Sequence, residues 1–173
     1  AFYFAVPTFN IPPSVTSIGA YAFDGCTGLQ AIDLPDGLTE LSSYAFRNCK
    51  GLTSVSIPNG ITVINNSVFN GCTGLTSVAL PDSITKLSAG AFENCTNLAS
   101  VNIPKSWTTL LGTNNGTNWS DGNDVYTSPF IGCTKLTTLT VPEGMTTLPK
   151  HAFRKHTTLK TVTLPSTLTE IGA

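Results

Sequence analysis

One unit recurs along this chain at a fixed spacing. Its leading position falls at Val6, Leu29, Leu52, Leu75, Leu98, Leu136 and Leu159. The interval is 23 residues throughout, except for 38 between Leu98 and Leu136, so that unit carries a 15-residue insertion. Self-similarity at a fixed period is the signature of a stacked repeat architecture and excludes most globular topologies at the outset. The seventh unit stops at Ala173, which leads us to expect a fragment of a longer repeat protein or a missing cap.

Inside each unit the opening reads L-x-x-h-x-h-P, where h is apolar: LTSVSIP at 52–58, LTSVALP at 75–81, LASVNIP at 98–104, LTTLTVP at 136–142 and LKTVTLP at 159–165. Alternation of period two predicts a strand with one buried face. The proline then ends it, because it has no N–H for a ladder. Turns follow, as at Pro35-Asp36-Gly37 and Pro58-Asn59-Gly60, and then paired apolar positions such as Leu38/Leu41, Ile61/Ile64 and Ile84/Leu87.

The remainder of the unit predicts a short α- or 3₁₀-helix. Ser42, Asn65 and Ser88 stand where an N-cap oxygen would stand. Ala45-Phe46, Val68-Phe69, Ala91-Phe92 and Ala152-Phe153 would supply its buried face. Gly25, Asn48, Gly71, Asn94 and Gly132 follow, residue types that accept the left-handed conformation ending a helix. One strand and one short helix cannot bury an apolar face alone, so the units must stack. The expected product is a single α/β domain over 1–173. It is a right-handed solenoid of about seven repeats, with a parallel sheet on one face and short helices on the other.

These units resemble the BspA-like leucine-rich repeat class, also called the Treponema pallidum type. The shared signature continues from L-x-x-h-x-h-P into A-F-x-[GN]-C-x-x-L, and here reads LTSVSIPNGITVINNSVFNGCTGL from Leu52 to Leu75. The resemblance covers nearly everything from Val6 onward except the insertion. It implies an extracellular or cell-surface protein with a binding or adhesion role, toward an extracellular protein or a glycan. It transfers no catalytic residue and implies no cofactor.

Chemistry-bearing residues are sparse. Cys26, Cys49, Cys72, Cys95 and Cys133 all occupy the twenty-first position of their units, and His156 takes that place in the next. A column of buried free thiols is expected. No C-x-x-C pair exists and a line of single ligands cannot surround a tetrahedral metal, so no metal site is expected. His151 and His156 lie in KHAFRKH, expected as a solvated basic edge. No partnered nucleophile or paired carboxylates emerge, so we expect no enzyme. Charged residues are 11% of the chain and net charge is −1, which argues against nucleic acid. No apolar run is long enough for a membrane span.

Candidate contact residues are those that vary between units. On the strands, positions three and five should face outward: Thr8/Asn10, Ala31/Asp33, Ser54/Ser56, Ser77/Ala79, Ser100/Asn102, Thr138/Thr140 and Thr161/Thr163. This face would be flat, hydroxyl-rich and nearly uncharged. The insertion, roughly Leu111–Ser128, reads as a loop, with Trp119 and Tyr126 as candidate anchors. Asp121-Gly122-Asn123-Asp124 offers oxygens but does not match a calcium loop. Sequons occur at Asn65, Asn94, Asn115 and Asn118; Asn115, Asn118 and Asn65 are candidate glycosylation sites, whereas Asn94 falls in a tight turn. The alternative to a binding module is a structural subunit of an extracellular fibre or layer, a homo-oligomer built by end-to-end solenoid stacking.

Overall fold

The structure is a computed structural model and describes residues 7–111 and 128–172. Each coil of the chain contributes two short strands, not one. The first set is β1 (Thr8–Asn10), β3 (Ala31–Asp33), β5 (Ser54–Ser56), β7 (Ser77–Ala79), β9 (Ser100–Val101), β11 (Thr138–Thr140) and β13 (Thr161–Thr163). The second is β2 (Ser17–Ile18), β4 (Glu40–Leu41), β6 (Val63–Ile64), β8 (Lys86–Ser88), β10 (Thr109–Leu111), β12 (Thr147–Leu148) and β14 (Glu170–Ile171). Odd strands pair in parallel with odd, and even with even. The registers Ser54↔Ser77↔Ser100 and Val63↔Lys86↔Thr109 follow the sequence period. The fold is therefore a parallel β-solenoid of about six turns.

The odd strands lie where L-x-x-h-x-h-P predicts them. The even strands fall on the apolar pairs after the proline, with Leu41, Ile64 and Leu87 buried.

The expected helical layer is not helical: no helix forms among the described residues. Two left-handed residues four positions apart break five of these segments. They are Tyr21 and Gly25, Tyr44 and Asn48, Ser67 and Gly71, Gly90 and Asn94, and His151 and Lys155, all with φ between +54° and +74°. A residue in this region cannot continue a right-handed helix. The hydrogen bonding shows what replaces it. Ala45, Arg47 and Cys49 donate three residues back, to Ser42, Tyr44 and Phe46. The alternate amides of Tyr44, Phe46 and Asn48 donate to the next coil, at Asn66, Val68 and Asn70, over 3.1, 2.9 and 2.7 Å. A helix of one or two turns would leave most of its end groups unsatisfied. Crossing to the neighbouring coil satisfies them. Nor do the expected caps act as caps: Ser42 Oγ donates to Glu40 Oε1, Asn65 Nδ2 donates to Leu41 O, and Ser88 lies buried in β8.

The core consists of columns that run along the stack. Phe23, Phe46, Phe69, Phe92 and Phe130 stack nearly parallel, with successive centroids 5.0, 5.5, 5.2 and 5.7 Å apart. That spacing tracks the ~4.8 Å separation of neighbouring strands. None of the five cysteines is in a disulfide, and all are buried beside the rings. Sγ of Cys49, Cys72, Cys95 and Cys133 donates to the carbonyl of Phe23, Phe46, Phe69 and Phe92 at 3.0–3.2 Å. Trp107 is fully buried where Ile84 and Met145 stand in the adjacent coils, and its Nε1–H donates to Thr109 O at 2.9 Å.

Candidate functional site

Alternation along the odd strands divides scaffold from surface. In β3, β5, β7 and β11 the middle residue (Ile32, Val55, Val78, Leu139) is buried and both neighbours are exposed. Asp33, Ser54, Ser56, Ser77, Thr138, Thr140, Thr161 and Thr163 all lie on the exposed side. The pairings align them in two columns: Ser54–Ser77–Ser100 and Thr138–Thr161 in one, Asn10–Asp33 and Thr140–Thr163 in the other. These residues therefore form one face. Asp33 is the acid among these outward positions.

Asn102 differs from the expected free contact group. Its Nδ2 donates to Leu80 O at 2.6 Å, and its Oδ1 accepts from Leu80 N at 2.7 Å. The side-chain amide takes the place of a peptide unit at the end of β9, while the residue stays exposed. Much of the hydroxyl content elsewhere is also spent between coils. Thr39, Thr53, Thr76 and Thr85 Oγ1 donate to the carbonyls of Thr16, Gln30, Thr53 and Thr62, each 23 residues back. Trp119, Tyr126, Asn115 and Asn118 lie outside the described residues. Asn65 is half-buried, with its amide nitrogen held 2.7 Å from Leu41 O, the atom a glycan would need.

The turn side carries a cluster that unit-by-unit reading missed. Tyr21 and Tyr44 stack at 4.9 Å, and the Arg47 guanidinium sits 5.3 Å from both ring centres. Arg47 also forks onto Asp24, Nε to Oδ1 at 2.9 Å and Nη2 to Oδ2 at 2.6 Å. Its pKa is raised, first by the hydrogen bond to Asp24. One coil pair further on, Asn70 Nδ2 donates to Glu93 Oε2 at 2.9 Å, and burial raises the Glu93 pKa. Asp24, Arg47, Asn70 and Glu93 share one repeat position. Superposing the units would have exposed the complementary neighbours.

His156 is not a solvated basic edge. Both ring nitrogens are shielded from water and make no hydrogen bond. Burial lowers its pKa. It replaces the thiol that would have donated to the Phe130 carbonyl, following the pattern of the other coils. Among the described residues no group of three or more His, Cys, Asp or Glu is placed to hold a metal ion. No helix there is long and apolar enough to cross a membrane.

Comparison with known proteins fits this geometry. The sequence pattern of the BspA type leucine-rich repeat region matches residues 1–114 and 121–173 in six copies, one fewer than the seven unit starts. A leucine-rich repeat protein from Treponema pallidum aligns with TM-score 0.75 at 21% identity, over 99% of this chain and 75% of that one. One from Bacteroides ovatus aligns with TM-score 0.62 at 25% identity, over 95% of this chain. A leucine-rich cell surface protein from Faecalibacterium prausnitzii aligns with TM-score 0.58 at 26% identity, over 92% of this chain. The chain spans 47% of the Bacteroides protein and 32% of the Faecalibacterium one. No curated protein matches it. With its repeat pattern, coil register and core columns all in phase, the chain belongs to the BspA-type leucine-rich repeat family.

Proposed function

We propose that the chain is a non-enzymatic binding or adhesion module of a cell-surface or secreted protein, and that its odd-strand face recognises an extracellular protein or glycan. One observation carries this reading. Most positions repeated between units are buried, whereas the exposed odd-strand positions, chiefly Ser and Thr, vary from coil to coil. An extended surface of this kind is what repeat architectures use for recognition. The cell-surface description of the Faecalibacterium protein supports the location. A net charge of −1 supports neutral partners over nucleic acid.

The test is a triple substitution, Ser54→Arg, Ser77→Arg and Thr161→Arg, on exposed positions. Binding to arrays of extracellular-matrix proteins and glycans should fall at least about tenfold, which is ~1.4 kcal/mol. Melting temperature should be retained. Undiminished binding by the folded variant would move recognition off this face.

A second reading is a structural subunit that stacks end to end. It rests on the repeat architecture itself, in which each coil pairs with the next through parallel strands. Light scattering separates the two readings. Growth of rods with concentration supports stacking; a monomer at high concentration contradicts it.

A further inference from the structure

The chain contains three Asn-Gly pairs: Asn59-Gly60, Asn70-Gly71 and Asn115-Gly116, the last outside the described residues. Asparagine cyclises most readily when glycine follows it, because no side chain then screens the neighbouring amide nitrogen. The fold treats the two described pairs oppositely. Asn70 is half-buried and Gly71 is buried. Both reacting groups there are tied to the next coil: Gly71 N–H donates to Glu93 O at 2.7 Å, and Asn70 Nδ2 donates to Glu93 Oε2 at 2.9 Å. Asn59 is instead exposed, in the turn that Ile61 N–H closes onto Pro58 O at 3.1 Å. Among the described residues neither the Asn59 carboxamide nor the Gly60 N–H makes a hydrogen bond. The equivalent N–H of a later coil, that of Gly144, is held by Thr167 Oγ1 at 2.9 Å. The stack itself imposes glycine at position 60, since an added Cβ would collide with Leu38 O of the preceding coil. Packing therefore keeps the nitrogen beside Asn59 unscreened.

We infer that Asn59 is a site of spontaneous deamidation in the folded chain and that Asn70 is not. The Gly60 nitrogen gives its proton to solvent base and attacks Asn59 Cγ. The Cγ–Nδ2 bond breaks, ammonia leaves with a proton from solvent, and a five-membered succinimide joins the two residues. Water adds to one succinimide carbonyl and opens the ring to aspartate or isoaspartate. Nothing is oxidised or reduced, and either product carries one additional negative charge. The eighth position of the unit already holds a carboxylate in other coils. Asp36 and Asp82 stand there one coil away on either side of Asn59. Asp82 Oδ1 accepts from Lys105 N–H at 3.0 Å, and Glu143 Oε1 accepts from Ser166 N–H at 3.0 Å, each one repeat further on. The aspartate product thus matches what the stack carries elsewhere. The inference stands on the geometry of this turn and is independent of the strand-face reading.

The experiment holds the whole folded chain at pH 8 for several weeks, beside the same chain in guanidinium chloride. Both are then digested in mild acid, which halts further conversion, and fragmentation mass spectrometry locates each converted residue. In the folded chain Asn59 should convert at least about tenfold faster than Asn70, and in guanidinium chloride the two rates should come within about threefold of each other. An unconverted Asn59, or equal rates in the folded chain, overturns the inference. A tenfold preference that persists in guanidinium chloride overturns it as well, because sequence and not fold would then select the site.

Discussion

At the scale of single residues, the cysteine column and its histidine exception make the sharpest predictions. The Cys49 thiol is pushed up to about 12, first by burial and then by the neighbouring Cys26. Cys72 is raised by burial, and Cys95 by its hydrogen bond with Cys133 and then by burial. The nucleophile is the thiolate, so these groups are inert while folded. Iodoacetamide at pH 8 should label Cys49, Cys72 and Cys95 no faster than the chain unfolds; rapid labelling would mean the column is open to solvent. His156 behaves oppositely. Its folded pKa is below the ordinary 6.5, so folding disfavours the protonated ring. Stability is undiminished above about pH 6.5 and declines as pH falls through the folded pKa. The raised pKa of Glu93 contributes with the other sign, favouring the fold as pH falls. The comparison must therefore be with His156→Cys, which restores the column. From pH 7 to pH 5 the wild-type melting temperature should fall more than that of the variant, and equal slopes would refute the assignment.

At the scale of elements, each coil side has its own logic, and the sequence made these sides unequally legible. Period-two alternation identified the odd strands and their exposed residues, because burial on one face leaves that trace. The even strands carry no such trace: a two-residue strand such as Val63–Ile64 shows one buried side chain and no period. The turn segment was misread because Ala, Phe and Cys at relative positions 0, 1 and 4 imitate a helical stripe. Tyr44 and Ser67 adopt φ of +64° and +54° with no residue-type signal for it, whereas Gly71 and Asn94 announce theirs. Even the alternation of Gly and Asn has a packing cause. A Cβ at Gly71 or Gly132 would meet the side-chain oxygen of Asn48 or Asn94 in the preceding coil. The phenylalanine column should dominate the energetics of this side. Phe69→Ala should cost ~3–5 kcal/mol in urea unfolding, as for a buried aromatic. Arg47→Ala removes a partly exposed ion pair and stacked contact, and should cost about 1 kcal/mol or less. A reversed order would mean that the surface staple, not the ring stack, holds the coils together.

At the scale of the whole molecule, neighbouring coils are tied along the odd strands, the even strands and the turns, most often by groups one repeat period apart. Its stability is then a sum of nearest-neighbour terms, and local defects stay local. This is how β9 and β11 can go unpaired while the turn side of the same coils stays hydrogen-bonded. It also explains why the motif that defines the family says little about ligands: repeated positions hold the stack, and recognition is left to exposed positions free to vary. The turn side is tied coil to coil and not wound into helices. NMR scalar couplings across hydrogen bonds measure this directly. They should link the amides of Phe46, Asn48, Phe69 and Gly71 to the carbonyls of Val68, Asn70, Ala91 and Glu93. Couplings confined to carbonyls four residues back, with helical carbon shifts over 65–72, would contradict it.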